Sequence, residues 1–329
     1  MHMFAAFYFV IVLTIEKEWS ISYDQLIKLW SLAALLIGLG AIPFGWLSDR
    51  WSRSGTMTIM FIGMGLASIL CGLSNTVSLL FFSLSLLGLF CSIYHPVGIP
   101  WVIHAANRQG RALGVNGIFG GVGIGSGAFI AGTLTELLNW QLAFILPGLI
   151  SIIIGLVLFY LIIINKISYT NFFINKDKQD HSRNEVILVA IIMLLSMFAL
   201  GLSFHNTQTA LPKVFEIRIG NISSFQIGFM IGVIYFISGA TTYVGGILAD
   251  RFNQKAIYLI GIFLQFPCYL GIAYMSGYSL VVLCILAAVF NASILPTENL
   301  LLSKFTPQKY HGVVYGIKFI LAFGSGPIS

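Results

Sequence analysis

Glu298 and Lys318 lie inside stretches that are otherwise apolar, where an ionisable side chain is costly and marks function more often than packing. Glu298 falls about seven residues before the end of its stretch, and Lys318 about six residues into the next, which runs the opposite way. At about 1.5 Å per residue, both sit roughly 9–11 Å from the same membrane boundary. They can pair across adjacent helices within a gate, Glu298 can carry a proton, or each can snorkel to the interface. His95 is the titratable residue in the middle of an earlier stretch, and Pro96 beside it frees a backbone carbonyl. Its imidazole can line a cavity and titrate near neutral pH, or simply be hydrogen-bonded in the packing. His205, Asn206, Thr207 and Gln208 are four consecutive polar residues that cannot all face lipid, so a water-filled cavity or outer gate is expected there. Asn116, Gln265, Asn291 and Tyr315 are further candidates for lining a pathway.

A second set of charges comes in two copies. Gly45-Trp46-Leu47-Ser48-Asp49-Arg50 ends one apolar stretch, and Gly246-Ile247-Leu248-Ala249-Asp250-Arg251 ends another about 200 residues later. Arg53 and Lys255 follow the two copies. The register nearly holds further on, with Pro96 matching Pro296 and Gly125-Ser126-Gly127 matching Gly324-Ser325-Gly326. Membrane proteins duplicated in this way are mostly secondary transporters. Asp49 sits at the negative end of a helix dipole and needs a partner, which Arg50, Arg53 or the N-terminus of a neighbouring helix can supply. Gly45 lets another helix approach closely. Such a pair can lock two bundles together, or merely anchor a loop at the headgroups.

Other chemistries lack their residues. There is no Gly-x-x-x-x-Gly-Lys-Ser/Thr loop, no Gly-x-Ser-x-Gly elbow and no His-Glu-x-x-His motif, so neither an enzyme nor a cofactor is expected. Cys71, Cys91, Cys268 and Cys284 all fall in apolar runs without zinc-type spacing and read as small buried hydrophobes.

The elements that must position these residues follow from composition. The 329 residues are 58% hydrophobic and 9% charged, too few charges to clothe a water-soluble particle, so an all-α polytopic membrane protein is expected. With about 20 apolar residues per span, there is a partial span ending near Ile15. Spans follow near 26–47, 57–73, 77–101, 112–135 and 141–164. After the polar stretch 165–185 come spans near 186–211, 224–249, 256–275, 278–302 and 312–329, about eleven segments in all. The division is a six-helix half over 1–164, a linker over 165–185 and a second half over 186–329. Extrapolating the repeat places about 15 residues before the first segment and about 34 after the last, as in a twelve-helix protein cut at both ends.

The net charge of +6 is not a nucleic-acid footprint, because the basic residues cluster in alternate connections. Arg50, Arg53, Arg108, Arg111, Lys166, Lys176, Lys178, Arg183, Arg251, Lys255, Lys304 and Lys309 share one side, which the positive-inside rule makes cytoplasmic. The fifth segment is dense in glycine, and Gly117, Gly121 and Gly125 stack on one helix face, suited to close backbone contact or bending.

Gly45-x-x-x-Asp49-Arg50-x-x-Arg53 resembles the loop motif between helices two and three of the major facilitator superfamily, and Gly246-x-x-x-Asp250-Arg251-x-x-x-Lys255 resembles its second-half copy. Ser52 and Asn253 stand where the family has glycine, and Ser54 and Gln254 where it has a basic residue. The glycine-rich segment is similar to the family's antiporter motif, without the proline that follows it. Arg108-Gln109-Gly110-Arg111-Ala112-Leu113-Gly114 and Tyr94-His95-Pro96-Val97-Gly98 resemble the drug-efflux branch that includes the fosmidomycin-resistance-type transporters. The arginine that many proton antiporters carry in helix four has no counterpart. The resemblance implies two six-helix bundles that alternate access to a small-molecule site at the bilayer midplane. It implies a monomer in a bacterial inner membrane, coupled to protons and exporting its substrate. The alternatives are uptake of a metabolite or organic anion by symport, or a truncated remnant that does not transport.

Overall fold

The computed structural model describes residues 1–167, 183–305, 317–318 and 320–321. Within them the chain is helical, with no strand. The first-half helices are α1 (His2–Ala6), α2 (Tyr8–Trp19), α3 (Tyr23–Lys28), α4 (Trp30–Leu39), α5 (Ala41–Arg50), α6 (Arg53–Gly72), α7 (Val77–Cys91), α8 (Tyr94–Ala105), α9 (Gln109–Leu137) and α10 (Trp140–Ile163). The second half holds α11 (Arg183–Ile219), α12 (Ser224–Arg251), α13 (Gln254–Tyr274) and α14 (Tyr278–Phe305).

Among the described residues, nine helical stretches are long and apolar enough to cross a bilayer, from Tyr23–Arg50 to Tyr278–Leu302. They match the spans expected from hydropathy from the second to the tenth. The first segment is α1 and α2, and most of the eleventh and the linker lies outside the described residues. Successive spans alternate direction, so the chain has a basic face, where α5, α8, α10, α12 and α14 end, and an opposite face. α10 turns Ile150, Ile153, Leu156 and Tyr160 outward, and α13 does the same with Phe263 and Phe266. That is the distribution lipid demands, since side chains there lose nothing by facing hydrocarbon.

Helix starts are set by short polar side chains. Ser52 accepts from Gly55 N (3.0 Å), Thr76 from Leu79 N (3.2 Å), Asn139 from Leu142 N (2.9 Å) and Asn253 from Ala256 N (3.2 Å). Ser223 and Gln226 close a reciprocal capping box. The chain reverses after α2 at Ser20 (φ 54°) and before α14 at Gly277 (φ 65°).

The longest contact between the halves is the antiparallel pair α9 and α12. A Cβ at Gly114 would stand 3.1 Å from Tyr243 Cα, at Gly125 2.7 Å from Gly232 O, and at Gly132 2.6 Å from Ser224 O. These neighbours are backbone, so no side chain can swing aside, and only glycine fits. Gly120, Gly123 and Gly127 face elsewhere, against His2 and Met3 of the first segment. The glycine density of α9 thus serves two partners. With so little side chain between them, the helices gain from dispersion and close packing, the main attraction available between spans in lipid.

Both ends of this seam are closed by acids. Asp250, at the end of α12, accepts from Gly110 N and Arg111 N at the start of α9, each at 3.1 Å. Glu136, at the end of α9, accepts from Phe225 N at the start of α12 at 3.0 Å. Each carboxylate satisfies orphan N–H groups and sits on a positive helix end.

Two predictions follow from the seam. Gly121→Ala forces a Cβ onto the Gly239 backbone and is expected to cost about 1–3 kcal/mol, seen as a lower Tm in detergent. Gly98→Ala, whose Cβ has the Tyr94 ring as its nearest neighbour at an ordinary 3.4 Å, leaves Tm unchanged or higher. Asp250→Ala and Glu136→Ala each cost about 1 kcal/mol. The double variant is expected to be additive within about 0.5 kcal/mol, because the sites lie roughly 40 Å apart along α9.

Candidate functional site

A cavity of about 220 Å³ lies between the two halves. Its first-half wall carries His2 from α1, His95 and Ile99 from α8, and Leu113, Asn116, Gly117 and Gly121 from α9. The second-half wall carries Met197, Phe204 and His205 from α11, Tyr235 and Thr242 from α12, Asn291, Pro296, Glu298 and Asn299 from α14, and Lys318. The lining is mainly apolar with a few convergent polar groups, the usual make-up of a small-molecule site.

The structure brings Glu298 and Lys318 together. Lys318 Nζ lies 2.5 Å from Glu298 Oε1, with side chains 7% and 4% exposed. Burying such a pair costs several kcal/mol per ion unless further hydrogen bonds complete the set. Here they do: Lys318 also donates to Asn299 Oδ1 at 2.7 Å, and the Tyr258 hydroxyl of α13 approaches Glu298 Oε2 at 3.3 Å. Tyr258 in turn shares a 2.9 Å hydrogen bond with Ser196 Oγ of α11. A connected line of polar groups therefore runs from the cavity wall through three helices of the second half. Tyr258 and Ser196 were not among the sequence candidates. Each lies in an apolar run as an ordinary hydroxyl, and only the packing of α11, α13 and α14 makes them neighbours.

His95 is buried in the cavity wall, its ring 5.3 Å from that of His2 in an edge contact. The Tyr94 hydroxyl donates to Asn116 Oδ1 at 2.6 Å, joining α8 to α9 behind the imidazoles. His2 was not among the sequence candidates, because it falls in the partial first span with no polar neighbour to single it out. Of the four-residue polar run, His205 faces the cavity beside Phe204, and Thr207 lines an adjoining pocket of about 30 Å³ with Asn291. Gln208 is buried outside both cavities, and Asn206 is exposed. Asn291 donates to Gln265 Oε1 at 3.1 Å. Tyr315, Gly324, Ser325 and Gly326 lie outside the described residues.

Above and below, the halves are tied. On the opposite face Lys213 of α11 bridges Glu16 of α2 and Glu216, each at 2.8 Å, and Lys17 reaches Glu216 at 3.3 Å. The Tyr23 hydroxyl donates to Thr209 O at 2.7 Å beside them. Sequence reading passed over this network because its charges sit at span ends, where solvated ions are ordinary. Towards the basic face the cavity is floored by an apolar cluster that joins both halves, including Ile99, Ile103, Leu113, Met193, Met197 and Leu300.

The two motif copies differ in use. Asp250 docks across the halves onto α9, and Gly246 permits it, since a Cβ there would meet Gly110 O at 2.5 Å. Asp49 is 60% exposed and lies 3.5 Å from Arg53 Nη2 on its own connection. The start of the eleventh segment, which the repeat would place against it, lies outside the described residues. Gly45 packs on Pro96 of α8 (Cβ contact 3.2 Å), Arg50 stacks on the Trp46 ring at 4.6 Å, and Arg251 and Lys255 are exposed. Ser52 and Asn253, which replace the family's glycine in the two copies, are both the caps that start the next helix.

Comparison with known proteins agrees with this architecture. A bacterial homolog of the human lysosomal transporter Spinster, solved in inward-facing unoccupied and occupied conformations, has the same fold. The TM-score is 0.74 at 14% identity, covering 99% of this chain and 78% or 77% of that one. An uncharacterized transporter of Buchnera aphidicola subsp. Schizaphis graminum is 24% identical over 269 residues, 80% of this chain and 63% of the relative. The riboflavin transporter RibZ of Clostridioides difficile is 26% identical over 148 residues, 44% of this chain and 32% of its own. The chain thus spans less than two thirds of the curated relatives it matches. The family model for the Major Facilitator Superfamily matches residues 1–329, and the chain, a polytopic helical membrane protein with the fold of that family's transporters, belongs to it.

Proposed function

We propose that the protein is a proton-coupled secondary carrier, moving one small molecule at a time through the cavity between its halves by alternating access. The observation that carries this reading is the buried Glu298–Lys318 pair in the cavity wall, with Tyr258 and Ser196 behind it. A carboxylate at a binding site, reached by a line of hydroxyls, can take and give a proton as the cavity changes access. The ties on the opposite face and the apolar floor near the basic face are the two barriers such a cycle opens in turn. Asp250 on α9, and Asp49 in the other copy, act as latches at the basic face. His95, Asn116, His205 and Asn291 contribute to the substrate wall, and Gln208 supports it from behind. The basic face and the linker are cytoplasmic by the positive-inside rule, in a bacterial inner membrane, and the carrier works as a monomer.

Export of a small drug-like molecule is the direction supported by the resemblance to the fosmidomycin-resistance-type branch. The second reading, uptake of an organic anion with a proton, is favoured by a separate observation: among the described residues the cavity wall sets one ammonium and three imidazoles, all N–H donors, against a single carboxylate.

In proteoliposomes with an imposed pH gradient, a screen of small molecules is expected to find saturable, gradient-driven accumulation, with direction read from which orientation of the gradient supports it. Glu298→Gln is expected to abolish accumulation against a gradient while downhill exchange persists; unchanged accumulation would remove Glu298 from coupling. Reversing either charge singly (Glu298→Lys or Lys318→Glu) is expected to abolish transport, and reversing both to restore part of it. A double variant that loses as much as the sum of the singles argues against direct pairing.

A further inference from the structure

The charge make-up of the cavity narrows the class of substrate, an inference that rests on the carrier reading above and takes its second form, uptake with a proton, over export. Of the 11 acidic residues in the chain, Glu298 alone lines the cavity among the described residues. Glu16, Glu18, Asp24, Glu136 and Glu216 lie at helix ends of the opposite face, and Asp49 and Asp250 at the basic face. Asp177, Asp180 and Glu185 belong to the polar stretch between the halves. Both oxygens of Glu298 are already engaged, Oε1 by Lys318 and Oε2 by Tyr258.

A cationic substrate could be neutralised only by displacing Lys318 from Glu298, taking the carboxylate away from a buried ammonium in a largely apolar wall, which costs more than the exchange returns. An anion faces the reverse situation. The groups around Glu298 are Lys318 and Asn299 from its own side and Tyr258 from α13 with Ser196 from α11, and the cavity lining adds the imidazoles of His2 and His95 from the first half and of His205 from the second. The ammonium supplies N–H donors and positive charge, and the imidazoles supply further N–H donors.

We propose that the cavity binds one small organic anion together with one proton: the proton goes to a Glu298 carboxylate oxygen, and the anion takes the place of Glu298 on Lys318. Charge balances, because a carboxylate–ammonium pair becomes a neutral acid beside a new carboxylate–ammonium pair. Lys318 keeps its proton throughout, and no covalent bond is made except O–H on Glu298. Neither ligand is welcome alone. The anion without the proton places two carboxylates on one ammonium, and the proton without the anion strips Lys318 of its counter-ion. Binding is therefore positively coupled, as in symport. The cavity is smaller than the roughly 300–1,000 Å³ of ordinary ligand pockets, and Phe204, Leu113 and Met197 offer an apolar surface. An acid with a single ring, carrying one carboxylate, fits both features.

The test is thermal unfolding of the purified protein with a matched panel: benzoate, hydroxybenzoates and phenylacetate, their neutral amides, and the corresponding benzylamines. The expected result is stabilisation by one or more carboxylates and by none of the amines, with apparent Kd tightening up to about tenfold per pH unit on acidification. Glu298→Gln, which imitates the protonated acid, removes that pH dependence and keeps the tight value. Lys318→Gln weakens the anion by about thirtyfold or more, and Glu298→Gln/Lys318→Gln repeats this loss without an unpaired buried charge should the single variant fail to fold. Stabilisation by amines, pH-independent anion binding, or no response to any carboxylate overturns the proposal. Counterflow of the same panel in proteoliposomes separates the two readings. Exchange of an amine or amide sinks the anion inference and keeps the carrier, whereas anion binding without any exchange keeps the anion site and sinks the carrier.

Discussion

The close approach of α9 to α12 is the constraint on which the rest of the architecture depends. Spans in lipid gain nothing from hiding apolar surface from one another, so attraction between the halves must come from atoms in contact and from polar groups that have nowhere else to go. Glycines at 114, 121, 125 and 132 of α9, and at 228, 232, 239 and 246 of α12, bring backbone against backbone along the pair. The cavity sits beside this seam, with Gly117 and Gly121 in its wall, so the same residues that join the halves also shape the space between them.

Around that seam the polar groups are paired by geometry that no single segment contains. Lys213 is held between Glu16 and Glu216 only because α2 and α11 meet at the opposite face. Arg218 adds a different kind of partner, donating to the carbonyls of Ile272 (2.8 Å) and Ala273 (3.1 Å) at the negative end of α13. In the wall of the cavity, Glu298 and Lys318 complete each other's needs with help from Asn299 and Tyr258. Each cluster removes charges from a setting where an unpaired one would be costly.

Much of the fold was legible in the chain because hydropathy is a local quantity. Each span from Tyr23 to Leu302 shows as an apolar run, and the two Gly-x-x-x-Asp-Arg copies set the repeat. The neighbourhood of Glu298 and Lys318 was legible for the same reason: two charges at equal depth in adjacent antiparallel helices have few other places to go. Less legible was anything that depends on rotation about a helix axis. Gln208 and His205 are three residues apart, yet only His205 reaches the cavity, and Asn206 between them is exposed. Glu136 carries no signal of its own in the sequence, and its contact with Phe225 N needs the register of α9 on α12. Ser52 and Asn253 read as departures from a family pattern when taken as sequence. As structure they are helix caps, a use that Ser and Asn serve better than glycine.

The acids at the two ends of the seam also limit how the halves can move. Asp250 holds the start of α9 at one end, and Glu136 holds the start of α12 at the other, in opposite senses along the axis. Sliding α9 along α12 in one direction stretches both attachments together; sliding back drives each acid onto the helix end it caps. A shift by even one turn, about 5.4 Å, breaks both. Tilting, by contrast, can spread one end while the other stays fastened. The pair therefore behaves as a hinge pin with a stop at each end, giving relative motion of the halves a fixed fulcrum and no axial play.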